Sequence, residues 1–369
     1  IRRVLITTKY RFIGDTINAV PTLRAVKQRW PDAEVTLLSG ARACELLQNC
    51  PYVDRFIEFD PYRAADKGLK QYVKLLMLLR RRSFDVCLVL NRSFHSALTA
   101  ALGGVKRRVG WAGFEGRDFL LTDRCAYDQQ KPEAECFLDL FRTVGGVYND
   151  PASLQIWLTN DELAKAAEQL PKPGFLVGIQ PGATHGYKQW PLSKFVELCE
   201  RLIQQNDDVK TVLIGGPDEE TIAREFLALA SPKLSARTTS LVGKMSLRST
   251  LAAVSQLNAF VGNDTAIRHA AIAANVQSIG LFGPTSWTKW GNSHPPRHTV
   301  LFGSTGKMED ISVDNVLNAA SYWQANQPEP ISVGGWHIGQ VHENYSGAEP
   351  SQDRVFSEVP FLLERGANE

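Results

Sequence analysis

Three observations predict an α/β protein made of two Rossmann-like lobes. Short apolar runs alternate with amphipathic helical stretches from residue 3 to 324, the pattern of parallel sheets covered on both faces. The alternation restarts after Pro171-Lys172-Pro173-Gly174, which reads as a linker. Polar turn residues gather where several apolar runs end, and the carboxyl ends of parallel strands are where such sheets bind ligands. The expected division is a first lobe over 1–171, a second over 172–325 and an irregular tail over 326–369, with a ligand cleft between the lobes.

The elements follow in order. Residues 3–8 form the first strand, and apolar positions from Ile17 through Val20, Leu23 and Val26 recur at helical spacing up to Trp30. Gly14 and Asp15 therefore fall in a strand-to-helix turn, and Pro21 is tolerated near the helix start. Further strands are read at 33–39, 53–59 and 84–90, with helices at 42–49, 69–82 and 95–102. Two basic runs stand out, Arg80-Arg81-Arg82 and Lys106-Arg107-Arg108. A helix over 134–144, a short strand at 156–158 and a helix over 161–170 capped by Asn160 lead to the linker.

The second half repeats the pattern. Strands at 175–180, 211–214 and 239–241 alternate with helices at 193–205, 219–230 and 246–254. Residues 257–261 then make a buried strand, Asn263-Asp264-Thr265 a polar turn of potential helix caps, and 266–274 a helix of small residues. A strand at 278–282 closes at Gly283-Pro284, and a final helix covers 312–324. A helix start at the carboxyl end of a parallel strand presents free N–H groups and the positive end of a dipole, so an anionic ligand is expected there. The plainer reading is that Asn263 and Asp264 only cap the helix.

Composition bounds the function. Hydrophobic content of 44% and charged content of 22% belong to a soluble globular protein, and a net charge of +2 gives no support for nucleic acid as a partner. Charge is uneven: residues 1–171 carry a net +5 and 172–369 a net −3, which favours the first half for an acidic substrate or an anionic membrane surface. The six cysteines include no C-x-x-C pair and read as reduced thiols of the cytoplasm. No zinc spacing, G-x-G-x-x-G, Walker A, H-E-x-x-H or G-x-S-x-G pattern occurs, so no metal and no cofactor is expected. No apolar run has the length of a membrane span.

What remains is polar residues at strand ends. Asp15 is a candidate base in the first lobe; Thr184 and Lys188, Glu219 or Glu220, and Asp264 with Thr265 are candidate anion and nucleotide contacts in the second. Each alone also reads as a cap or a solvated loop. Their coincidence at the strand ends is the stronger argument.

Gly14-Asp15, PGATHGYKQWP at 181–191, IGGPDEE at 214–220 and NDTAIRHAAIAA with LFGPT over 263–285 together resemble glycosyltransferase family 9, the bacterial lipopolysaccharide heptosyltransferases. The resemblance implies a GT-B fold, with the two Rossmann-like domains facing each other across a cleft. It also implies an ADP-heptose donor, inversion at the anomeric carbon, no metal, and a lipopolysaccharide core or similar glycolipid as acceptor. By position it makes Asp15 the base, Thr184 and Lys188 phosphate contacts, and Glu219 or Glu220 the ribose contact, with Gly216 in the same turn. Asp264 falls near the donor sugar, the N–H groups of Thr265 and Ala266 cradle the pyrophosphate, and His269 stands behind them. The family often has Gly where Ala266 stands, which matters if that position needs φ > 0. The basic runs at 80–82 and 106–108 would suit a phosphorylated saccharide at the cytoplasmic face of the inner membrane. Trp190, Trp287 and Trp290 read either as cleft lining or as core. Two other readings stay open, transfer from another nucleotide sugar and a catalytically idle nucleotide-sugar-binding module.

Overall fold

The computed structural model describes residues 1–325, 332–333 and 336–338. They divide into two compact units, Ile1–Ser153 and the segment that begins at Leu154.

In the first unit the strands are β1 (Arg3–Thr7), β2 (Glu34–Ser39), β3 (Arg55–Glu58), β4 (Val86–Val89), β5 (Arg107–Trp111) and β6 (Asp123–Cys125). They form one parallel sheet in the order β3-β2-β1-β4-β5-β6. The helices are α1 (Ile13–Asn18), α2 (Val20–Arg29), α3 (Ala41–Leu46), α4 (Leu69–Arg82), α5 (Phe94–Leu102) and α6 (Glu133–Thr143). Strands β1 and β4 are apolar because both faces are covered: Leu5, Cys87 and Val89 pack with Leu75 and Leu79 of α4. The first helix begins earlier than its apolar spacing predicts, at Ile13, so Asp15 lies in its first turn instead of in a loop. Pro21, in the first turn of α2, lacks a donor and marks the separate start of that helix. Strand β6 escapes sequence reading, being three residues of mostly polar character at a sheet edge.

The second unit contains β7 (Trp157–Leu158), α7 (Asn160–Ala167), β8 (Phe175–Gln180), α8 (Leu192–Gln205), β9 (Val209–Leu213), α9 (Glu220–Leu229), α10 (Pro232–Ser235), β10 (Thr238–Ser240) and α11 (Leu247–Val254). It continues with β11 (Ala259–Asn263), α12 (Ala266–Ala273), β12 (Gln277–Phe282), α13 (Trp287–Trp290), β13 (His298–Phe302) and α14 (Val313–Ala325). Its parallel sheet runs β10-β9-β8-β11-β12-β13, the same order as in the first unit. Ile279 and Leu281 face Phe195, Leu198 and Leu202 of α8 and Val316 and Leu317 of α14, which makes the core of this layer.

The division falls ahead of the expected linker. Residues before Pro171 belong to the second unit because α7 packs on α11, where Arg248 Nε and Nη2 each reach the Glu162 carboxylate at 2.7 Å. The cap of α7 is Thr159, not Asn160: its hydroxyl accepts from Glu162 N–H and Glu162 answers to Thr159 N–H, a capping box. The expected irregular tail falls mostly outside the described residues. Within it, β14 (Ser332–Val333) and β15 (Trp336–Ile338) are strands, and β15 pairs antiparallel with β7.

Candidate functional site

In a doubly wound sheet the strand order reverses between its first and fourth strands, and ligands bind outside the carboxyl ends there. The reversal lies between β1 and β4 in the first unit and between β8 and β11 in the second. Asp15 lies at the first place and Thr184, Lys188, Asp264 and Thr265 at the second, whereas Gly216, Glu219 and Glu220 follow the adjacent strand β9.

At the first, the chain leaves β1 through Thr8, whose carbonyl accepts from Asn91 Nδ2 at 3.2 Å, and turns through Lys9 into α1. Asp15 is 7% exposed, and Lys9 Nζ ion-pairs its Oδ1 at 2.6 Å. Burial pushes the Asp15 carboxyl above its usual range, against the opposing pull of Lys9; nearby Glu133 pushes the same way and Arg92 opposes. A carboxylate held this way binds a proton more readily than a solvated one, as a general base requires. Arg92, just past β4, lies over the rings of Phe114 at 5.3 Å and Tyr127 at 4.9 Å. Tyr127 in turn donates to Glu133 at 2.6 Å. Lys9, Arg92, Tyr127 and Glu133 are absent from the sequence-based set. Lys9 and Arg92 were findable as strand-end cations, whereas Tyr127 and Glu133 come from a distant helix and loop.

At the second, three short polar side chains stand before α12, and none of them caps it. Asn263 is fully buried and holds the loop after β8: its Nδ2 donates to the Pro181 and Gly182 carbonyls at 2.9 and 3.1 Å, and its Oδ1 accepts from Trp190 N–H at 3.0 Å. Asp264 ion-pairs with Lys188 at 2.9 Å. The Thr265 hydroxyl hydrogen-bonds the Gln180 side-chain carbonyl. The N–H groups at the start of α12 are thus left without a side-chain acceptor, with the Lys188 ammonium on the neighbouring loop. Ala266 has ordinary negative φ, so Ala instead of Gly carries no backbone strain here.

Gln180 also donates to Glu219 at 3.4 Å, and Gly216 N–H donates to the same carboxylate at 2.8 Å. Burial raises the Glu219 carboxyl, against the lowering effect of these bonds. A Cβ on Gly182 would strike the Glu219 carboxylate and push it from its place. Glu220 is exposed and leans over Gly243, which has φ +71. Thr184 is exposed on the loop after β8. His269 is 4% exposed, its Nδ1 is 3.2 Å from Asn292 Nδ2, and burial beside Arg268 pushes it down to about 4, so the ring is neutral at physiological pH. It packs behind the helix start and does not line its surface.

The tryptophans separate. Trp190 is core, 1% exposed with Nε1 donating to the Ile311 carbonyl at 3.0 Å, whereas Trp287 is 40% exposed and stacks on Phe302. The basic runs are not where an acceptor at Asp15 would need them. They precede β4 and open β5, at the amino edge of the sheet, whereas Asp15 lies at the carboxyl edge. Several of their cations are occupied there: Arg80 donates to the Leu102 carbonyl, Arg107 pairs with Asp123 at 2.7 Å, and Arg108 donates to the Val105 and Leu120 carbonyls. All six cysteines are free thiols. Among the described residues no group of His, Cys, Asp or Glu side chains converges as a metal site would, and no helix is long and apolar enough to cross a membrane.

The family model of glycosyltransferase family 9 (heptosyltransferase) matches residues 72–320. The chain belongs to glycosyltransferase family 9. This family 9 enzyme is 28% identical over 286 residues to lipopolysaccharide heptosyltransferase 2 of Escherichia coli, covering 74% of this chain and 81% of that one. The solved structure of the E. coli ADP-heptose lipopolysaccharide heptosyltransferase II superposes with a TM-score of 0.73 at 24% identity, over 88% of this chain and 99% of that one. An E. coli heptosyltransferase with ADP-2-deoxy-2-fluoro heptose superposes with a TM-score of 0.69 at 19% identity, over 87% and 99% of the two chains. The fold of this glycosyltransferase is accordingly GT-B, two parallel six-stranded sheets with their helices.

Proposed function

We propose that this family 9 glycosyltransferase moves a heptose, with inversion and without a metal, from ADP-heptose to a lipopolysaccharide core or similar glycolipid. The observation that carries the donor half is the uncapped start of α12: Asn263, Asp264 and Thr265 are all bonded elsewhere, and Lys188 stands beside the free N–H groups. Such a frame favours a diphosphate. Relatives named as heptosyltransferases, one of them with an ADP-heptose analogue, support reading the donor as ADP-heptose.

In the reaction, the acceptor hydroxyl gives its proton to Asp15 as its oxygen attacks the anomeric carbon, and the bond from that carbon to the diphosphate oxygen breaks. Negative charge then grows on departing ADP. Lys188, Thr184 and the N–H groups of Thr265 and Ala266 stabilise it, and Asp264 orients the Lys188 ammonium. Inversion follows from attack on the face opposite the leaving group. Glu220 is the proposed ribose contact, because the Glu219 carboxylate is already committed to Gly216 and Gln180. Lys9 and Arg92 give the Asp15 edge a positive field that suits a phosphorylated or carboxylated acceptor.

The test is thermal protection by a panel of ADP- and UDP-sugars, followed by transfer with the best donor. ADP-heptose is expected to raise Tm most, since a ligand that binds only the native state stabilises it by mass action. Protection by UDP-sugars and none by ADP or ADP-heptose would overturn the donor assignment.

A further inference from the structure

We infer that α4 is a membrane-docking helix that seats the first unit on an anionic lipid surface. The outward face of a surface helix is ordinarily polar. Here it carries Leu69, Val73 and Met77, exposed by 78%, 40% and 48% and spaced four residues apart, so that they form one line along the helix. No other described helix exposes three large apolar side chains. The opposite face is fully used, with Leu75 and Leu79 buried against β1 and β4.

Charge selects the occupant. The sequence of α4, LKQYVKLLMLLRRR, holds five Lys and Arg and no Asp or Glu. Lys70 and Arg81 are exposed around the apolar line, and Lys67 is exposed just before it. An apolar stripe flanked by cations is the pattern of a helix lying in the headgroup region of an anionic bilayer, where each cation adds to the attraction. A second copy of this chain fits poorly, because a two-fold contact would set one cationic helix against another.

The helix also points to a purpose. It follows β3, so its first turn lies toward the carboxyl edge that carries Asp15. Phe12 and Tyr62, 61% and 65% exposed, stand on loops at that same edge, each beside a cation, Lys9 and Arg11 respectively. A bilayer under α4 would bring lipid headgroups to the edge where the base waits. This purpose rests on the proposed glycolipid acceptor; the docking itself does not.

Flotation of the full chain with vesicles of phosphatidylcholine alone, or with phosphatidylglycerol added, tests the inference. The chain is expected to float with the anionic vesicles, to release in high salt, and to bind the neutral ones about ten-fold more weakly. Val73→Glu with Met77→Glu, both at exposed positions, is expected to cut anionic binding about ten-fold or more at unchanged Tm. Equal partition into both vesicles, no binding to either, or undiminished binding by the folded double variant would overturn it, as would a lost interaction only with protein partners. Transfer to a delipidated, water-soluble acceptor is measured in parallel. If that persists while vesicle binding fails, docking is wrong and the reaction stands; if vesicles bind and no acceptor is glycosylated, the reverse holds.

Discussion

The two sheets share one strand order, yet the helix that starts at each reversal point begins differently. In the first unit the acid is inside the helix: Asp15 sits in the first turn of α1, buried, with its carboxyl raised. In the second the acid stands before the helix: Asp264 is held by Lys188 and the start of α12 is left open. In the proposed reaction the first edge takes a proton and the second receives an anion. The same topology thus sets a single carboxylate differently relative to a helix start, and the proposal assigns the two settings different chemistries.

Four substitutions probe that contrast, in descending order of effect. Asp15→Asn is expected to lower kcat by about a thousand-fold, the range of a lost general base, with ADP affinity within about two-fold. Because burial opposes the ionised form, the same change is expected to leave Tm equal or higher, read by thermal unfolding at neutral pH. The sign is fixed by the raised carboxyl. Its contribution to stability is complete below the ordinary value of 3.8 and is lost as pH rises through the folded value, so at neutral pH nothing favourable remains to lose.

Asn263→Ala breaks the frame of the second edge. It removes three buried hydrogen bonds and leaves the Trp190 N–H and two carbonyls without partners, at a cost of about 3 kcal/mol, visible as a lower denaturation midpoint. Lys188→Ala is expected to weaken ADP about ten-fold, measured by calorimetry, with the loss shrinking at high salt. Lys9→Met sharpens the first edge. Removing the cation that opposes burial raises the Asp15 carboxyl further, so the acid limb of kcat/KM moves to higher pH.

Much of this was legible in the sequence because period and strand ends are local signals. The apolar runs at β1, β8, β11 and β12 marked buried parallel strands, and the residues just after them are the ones at the reversal points. Boundaries and partners are not local. Strand β13 begins with a buried histidine, which breaks the apolar pattern of a buried strand; His298 is tolerated there because Ser278 on β12 meets its Nδ1 at 3.1 Å. The basic runs read as a surface for a phosphorylated acceptor until the sheet put them at the amino edge, opposite the edge that carries Asp15. The caps of α12 could not be judged from residue type either. Asn263, Asp264 and Thr265 are good caps in isolation, and only their long-range partners Trp190, Lys188 and Gln180 show that they do something else.

The most direct test of separate roles is a crossed measurement on Asp15→Asn and Lys188→Ala: ADP affinity and the single-turnover rate at saturating donor, for each. Asp15→Asn should keep ADP affinity and lose the rate, while Lys188→Ala should lose ADP affinity. Wild-type turnover by Asp15→Asn, or equal loss of both properties in both variants, would contradict the account.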